Sequence, residues 1–232
     1  MSRKRAYSLT FDIVHQLGVE VVSGKYSKDT AFPTEAELGI EYDVSRSVIR
    51  EAVKMLTVKG LLSARPRRGT IVTEESEWDL LDQDILQWLL KREVSIPLMI
   101  DFTHTRLAIE PQAAFLAATN ITDEQRITLI NAIKEMEQAT IGELSPLETD
   151  IAFHLAVLAA SNNRFFVLMD SFVETALRFS IRMSNKMKGV KIGSVEEHKI
   201  VADAILAGQP EQAKKGMEKM LKEVLQIFNQ AD

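Results

Sequence analysis

The sequence has no cysteine among its 232 residues, which excludes disulfides, thiol nucleophiles and every cysteine-ligated zinc or iron–sulfur site. A metal, if bound, must rest on Asp, Glu or His. Glycine and proline are scarce, at ten and six, which disfavours turn-rich sandwiches and collagen-like repeats. No apolar run approaches the ~18 residues of a membrane span, and the basic start MSRKRAYSLTFDIVH is followed by neither an apolar stretch nor a cleavage site. The chain is therefore expected to be soluble and cytoplasmic, with no membrane partner. What remains is a mainly helical protein long enough for two domains of ordinary size.

Positive charge is also in short supply overall, with a net charge of −5, but it is unevenly spread. Residues 1–73 carry 12 Lys and Arg against 8 Asp and Glu, whereas residues 74–232 carry 16 against 25. An anion-facing module at the start, attached to an acidic remainder, follows from that split.

Within the basic part, Leu9, Ile13, Leu17 and Val21 recur at helical spacing, with Gly24 as a stop. Thr34 followed three residues later by Glu37 has the spacing of a capping box and predicts a second helix ending near Tyr42. Ser45 is placed to cap a third helix, which carries Val48, Ile49, Ala52 and Leu56 on one face and Arg46, Arg50 and Lys54 on another. Two short strands, 61–65 and 70–73, follow around a turn holding Pro66, Arg67, Arg68 and Gly69. Helix, helix, helix, hairpin is the order of a winged helix-turn-helix. Such a module lays its second reading helix in the major groove of DNA, which here presents Ser45, Arg46, Ser47 and Arg50. Arginine can grip guanine bidentately and serine suits phosphates. Arg65, Arg67 and Arg68 on the hairpin can enter a neighbouring minor groove or sit on phosphate, and Gly69 permits close backbone approach.

The acidic stretch 74–79 reads as a linker, and residues 80–232 as an all-α bundle, with helices expected near 79–92, 96–119, 122–139, 144–161, 163–187, 194–207 and 209–229. Asp150 and His154 lie four apart and so share a helix face. His198 sits on a later helix. Arg106 is a candidate fork for a carboxylate, or else an ion-pair partner of Glu110. Arg178 and Arg182 either line the same cavity or face solvent. Trp78, Leu86 and Trp88 read as packing between domains rather than ligand contacts.

Pro33 with Glu35, Val44-Ser45-Arg46, Arg50-Glu51-Ala52, Gly60-Leu61 and Arg68-Gly69-Thr70 together resemble the DNA-binding signature of the GntR family of bacterial transcription regulators. The likeness covers roughly residues 8–73 and adds Thr34 and Glu35 to the expected DNA contacts. One departure is Ala36, where many members carry an arginine. The stretches TRLAIEP, ETDIAFHLAVLAASNN and EEHKIVADAILAGQPEQAKKGM resemble the helical ligand-binding domain of the FadR subfamily, known as FCD. That resemblance implies a divalent ion, Zn, Ni or Mn, on Asp150, His154 and His198, with an effector carboxylate bound beside it; Arg106, Arg178 and Arg182 are the candidates for reaching that carboxylate. The family's last histidine falls on Met220, so two readings stand: a metal site completed by ligand oxygens, or direct hydrogen bonding of Asp150, His154 and His198 to a polar effector. The run Trp78, Leu81-Asp82, Asp84-Ile85-Leu86 and Trp88 is similar to a galactonate-responsive branch and implies a sugar acid, an aldonate or its relative.

The expectation is a non-enzymatic, ligand-responsive repressor that binds an operator in double-stranded DNA as a homodimer, since two half-sites need two modules. The alternative is a metal-dependent hydrolase working through Asp150, His154 and His198.

Overall fold

The computed structural model describes residues 2–27, 31–65, 69–93, 95–188 and 194–230, with backbone alone for 2–8, 181, 182 and 184–188. Two compact units emerge, Met1–Glu93 and Val94–Asp232. Eleven α-helices and one two-stranded sheet occur among the described residues, and none of the helices is long and apolar enough to cross a membrane.

The first unit is a winged helix. Helix α1 (Ser2–Val22) turns Ile13, Leu17 and Val21 inward, as the spacing predicts. Helix α2 (Glu35–Glu41) starts with the expected capping box: the Thr34 amide donates to Glu37 at 2.8 Å and the Glu37 amide donates back to Thr34 Oγ1 at 3.3 Å. Helix α3 (Arg46–Val58) buries Ile49, Ala52 and Leu56 and keeps its cationic line outside. Strands β1 (Leu62–Arg65) and β2 (Gly69–Val72) pair antiparallel, with Arg65 opposite Gly69.

The stretch read as a linker packs within this unit instead. Residues 75–77 form one 3₁₀ turn, and Asp82 caps α4 (Gln83–Leu89), which is therefore shorter than the expected 79–92. Long-range contacts explain the difference. The Asp79 amide donates to the Lys59 carbonyl at 3.1 Å, and Lys59 Nζ reaches Asp82 at 2.6 Å and Asp84 at 2.8 Å. Gly60 has φ of +82°, and a Cβ there would stand 2.2 Å from the Glu77 carbonyl oxygen, so the chain can cross here only without a side chain. Trp88 is 1% exposed; its indole donates to His15 Nδ1 at 2.9 Å, and its ring fills the space above Gly18. Leu86 is buried here too. Trp88 and Leu86 thus complete the core of the first unit.

The second unit is an all-α bundle of α5 (Ile96–Asn120), α6 (Asp123–Thr140), α7 (Pro146–Ala160), α8 (Arg164–Val167), α9 (Asp170–Lys188), α10 (Val195–Leu206) and α11 (Pro210–Asn229). Ser95, Thr122, Ser145, Asn163 and Ser194 cap five of these helices with their side chains, fixing where each begins. The expected single helix over 163–187 is broken, because the four-residue α8 closes at Leu168 before α9 starts. Helix α5 runs through the bundle and packs against α7, α9, α10 and α11.

Candidate functional site

The candidate reading face of the first unit is the exposed start of α3 with the start of α2. Ser45 has the extended backbone of an N-cap but its side chain makes no capping bond; Oγ pairs instead with Ser47 Oγ at 2.9 Å. The first-turn amides of α3 therefore lack the expected hydroxyl partner, and both serines stay at the surface beside Arg46. Arg50 reaches back to α2, giving Nε to both Glu35 oxygens at 3.2 Å and a terminal nitrogen to Oε2 at 2.9 Å. That pairing holds the guanidinium above its ordinary value. Thr34 spends its hydroxyl on the capping box. Arg65 is exposed at the end of β1, and Gly69 has φ of +74° with open space around it. Arg67 and Arg68 lie outside the described residues, as does the side chain of Arg182.

In the second unit five charged or titratable side chains converge in the core. Helix α5 supplies Arg106 and Glu110, α7 supplies Asp150 and His154, and α10 supplies His198, none more than 5% exposed. Of the two readings of Arg106, the ion pair is the one observed: Nε donates to Glu110 Oε1 at 2.5 Å. Glu110 then accepts from His154 Nδ1 across the helix interface. His198 Nδ1 donates to the Ser194 carbonyl at 2.7 Å. Each Nδ1 faces an oxygen that can only accept, so each carries the hydrogen, and in the neutral ring each Nε2 keeps its lone pair.

Both Nε2 atoms lie close to the Asp150 carboxylate. His198 Nε2 lies 3.0 Å from Oδ1, off the line a hydrogen bond needs, and is otherwise without a partner; His154 Nε2 lies 3.8 Å from Oδ2. The three ligand atoms fall within 4.8 Å of one another. With both rings neutral these are three acceptors in a buried core, and such a set calls for a cation, either a proton or a metal ion. Burial pulls the His198 imidazolium down, but the Asp150 carboxylate outweighs it and holds the ring above its ordinary value. Burial likewise pushes Asp150 up, and His198 outweighs that, leaving it low. Glu110, which burial alone would raise, is drawn to about 2 by Arg106 and His154. Imidazole nitrogens with one carboxylate suit Zn²⁺, Ni²⁺ or Mn²⁺, so the residues fit the implied group. Met220 is buried on α11, and a thioether adds little for these ions.

Arg178 is not part of this cluster. Its guanidinium is shared by Glu148, at 2.6 and 3.0 Å, and Glu174, at 2.8 and 3.0 Å, on a partly exposed edge. Asn163 caps α8, as its position suggests. From the sequence alone Glu110 has no role beyond pairing with Arg106. Its signal was present all the same, since Arg106 and Glu110 repeat the four-residue spacing of Asp150 and His154.

Each of the two units matches a known protein family. Residues 9–72 match bacterial regulatory proteins of the gntR family, and residues 101–223 match the FCD domain. The chain is 31% identical to the HTH-type transcriptional regulator YieP of Escherichia coli K12, over 93% of each. It is 30% identical to the galactonate operon transcriptional repressor of the same organism, over 83% of this chain and 85% of that one. Among solved structures, a Streptococcus agalactiae GntR aligns with a TM-score of 0.51 at 25% identity, over 94% of this chain and 99% of that one. Lar of Listeria monocytogenes aligns with a TM-score of 0.63 at 17% identity, over 96% and 97%.

Proposed function

The chain belongs to the gntR family of bacterial regulatory proteins, with an FCD domain behind its winged helix, and from that premise we propose a cytoplasmic homodimeric repressor. Its bundle takes up a divalent ion and a small carboxylate, an aldonate or related sugar acid, and the protein then leaves its operator. The observation that carries the reading is the convergence of Asp150, His154 and His198 on one buried point, where His198 Nε2 lacks a hydrogen-bond partner. Similarity to a galactonate operon repressor supports the sugar acid.

On DNA, Arg46 and Arg50 read base edges in the major groove while Ser45, Ser47, Thr34 and Glu35 border the phosphates. Arg65, Arg67, Arg68 and Gly69 serve the adjacent minor groove. In the bundle, His154 and His198 offer Nε2 and Asp150 a carboxylate oxygen, and Met220 leaves the protein set at three. A bound divalent ion supplies a Lewis-acidic position for a carboxylate oxygen. Release requires the effector to bind the non-operator state more tightly; equal affinity for both would shift nothing.

A thermal-shift panel of sugar acids on exhaustively dialysed protein, each with and without EDTA, tests the reading. Zinc, nickel or manganese should raise the midpoint, and one sugar acid should raise it further only with the ion present. A flat panel overturns the sugar acid, and a shift that survives EDTA overturns the metal. Turnover of the bound acid would instead mark a metal-dependent hydrolase. A light-scattering mass near 26.1 kDa at DNA-binding concentrations would contradict the dimer.

A further inference from the structure

We infer that Glu110 is a positioning residue for the candidate metal centre: held by Arg106, it fixes the His154 ring with Nε2 toward Asp150 and strengthens that nitrogen as a donor. This role rests on the metal reading above. An ionised glutamate that is 1% exposed survives only if its charge is answered. Arg106, one turn earlier on α5, answers it by donating Nε to Oε1 at 2.5 Å and a terminal nitrogen to Oε2 at 3.4 Å. For a purely structural ion pair that would be enough. Glu110 nevertheless places Oε2 against His154 Nδ1, on a different helix. An acceptor there forces the hydrogen onto Nδ1 and leaves the lone pair on the far side of the ring, 3.8 Å from Asp150 Oδ2.

His198 is oriented in the same sense, but by a neutral group, the Ser194 carbonyl at 2.7 Å. The two histidines thus differ in the charge behind them. A carboxylate behind an imidazole raises the basicity of its other nitrogen, which a carbonyl does far less. With Met220 in place of a fourth protein ligand, the anionic support behind His154 offsets part of what the site lacks. Arg106 is then the compensator of Glu110, and its guanidinium is occupied before any effector arrives.

The test uses the full-length protein, dialysed free of metal, with Co²⁺ and Zn²⁺ affinities measured against a chromophoric chelator. Glu110→Gln keeps an acceptor for Nδ1 and removes the charge. Because that change leaves Arg106 unanswered, the double variant Arg106→Met/Glu110→Gln is measured beside it. Both variants should bind Co²⁺ roughly 10- to 100-fold more weakly than the parent, with a shifted visible absorption band. The double variant should keep the circular dichroism and metal-free melting midpoint of the parent. Affinity within about twofold of the parent, with an unchanged cobalt band, would reduce Glu110 to a structural role while the metal reading stood. Failure of the parent itself to bind either ion would remove the metal reading and this role together.

Discussion

Arg50 with Glu35 in the winged helix and Arg106 with Glu110 in the bundle are the same two residue types in contact, yet their surroundings are opposite. The first pair keeps 66% and 37% of its side-chain surface exposed, the second 2% and 1%. In water an ion pair gains little, is screened by salt and exchanges partners at little cost. Such a pair suits the proposed DNA-reading surface, where Arg50 would trade a carboxylate for DNA. In the core neither member can be left alone, because an unanswered buried charge costs several kcal/mol. The surface pair is replaceable; the buried one holds its neighbours in place.

The largest effect is expected from orphaning one buried charge. Glu110→Ala should cost about 3–5 kcal/mol and lower the bundle's melting midpoint, followed by far-ultraviolet circular dichroism, by on the order of 10 °C. Arg106→Met/Glu110→Leu, which removes both charges, should recover most of that loss. Both tryptophans, Trp78 and Trp88, lie in the first unit, so their fluorescence reports on that unit. A fall in the tryptophan transition as large as that of the bundle would contradict the picture of a local charge cluster.

The first unit has its own intolerant point, and it is steric rather than electrostatic. Gly60→Ala places a Cβ against the Glu77 carbonyl in a left-handed conformation. The conformation alone costs roughly 1–2 kcal/mol, and the clash displaces the segment that carries Trp78. The tryptophan transition should therefore fall and the emission shift. An unchanged midpoint would mean that residues 74–79 are not docked on the end of α3.

Lys59 sits between the two extremes, 14% exposed against two acids. Burial would lower its ammonium, but Asp82 and Asp84 outweigh that and hold it above the ordinary value of 10.5. A raised lysine contributes its full stabilisation below 10.5 and loses it as pH rises through the folded value. Lys59→Met should cost about 1–2 kcal/mol near neutral pH, read by tryptophan fluorescence. The gap from the parent should stay constant up to about pH 10 and close above it.

How much of this was legible in the sequence divides along the same line of local against distant contacts. Caps and periodicity announced α2, α3 and the hairpin, because Thr34 and Glu37, or Ile49 and Leu56, interact within a turn or two. Asp150 and His154 were legible for the same reason. Ser45 misled, since a serine at an N-cap position can spend its hydroxyl on Ser47 instead. The docking of 74–93 was hidden because Lys59 finds Asp82 across 23 residues and Trp88 finds His15 across 73. His198 could be nominated only by resemblance, and the carbonyl that orients it belongs to a backbone that carries no sequence signature.

The smallest effect on stability, and the most telling on DNA, is expected at the exposed pair. Glu35→Gln should leave the melting midpoint unchanged within error, because the carboxylate is solvated with or without Arg50. On DNA the change should register if α3 is the reading helix, since Glu35 would then compete with phosphate and base oxygens for the same guanidinium. Binding to random duplex should strengthen modestly at low salt, where removing a negative charge matters most. Arg50→Ala should weaken binding to the protein's own operator by on the order of tenfold or more while leaving the fold intact. If Glu35→Gln instead destabilised the winged helix as Glu110→Ala does the bundle, the distinction between exchangeable and fixed charge would fail. If Arg50→Ala left operator binding untouched, the exposed start of α3 would not be the reading face. Fluorescence anisotropy across a salt series separates these outcomes, because a lost phosphate contact lowers the slope of log K against log salt by about 1 and a lost base contact does not.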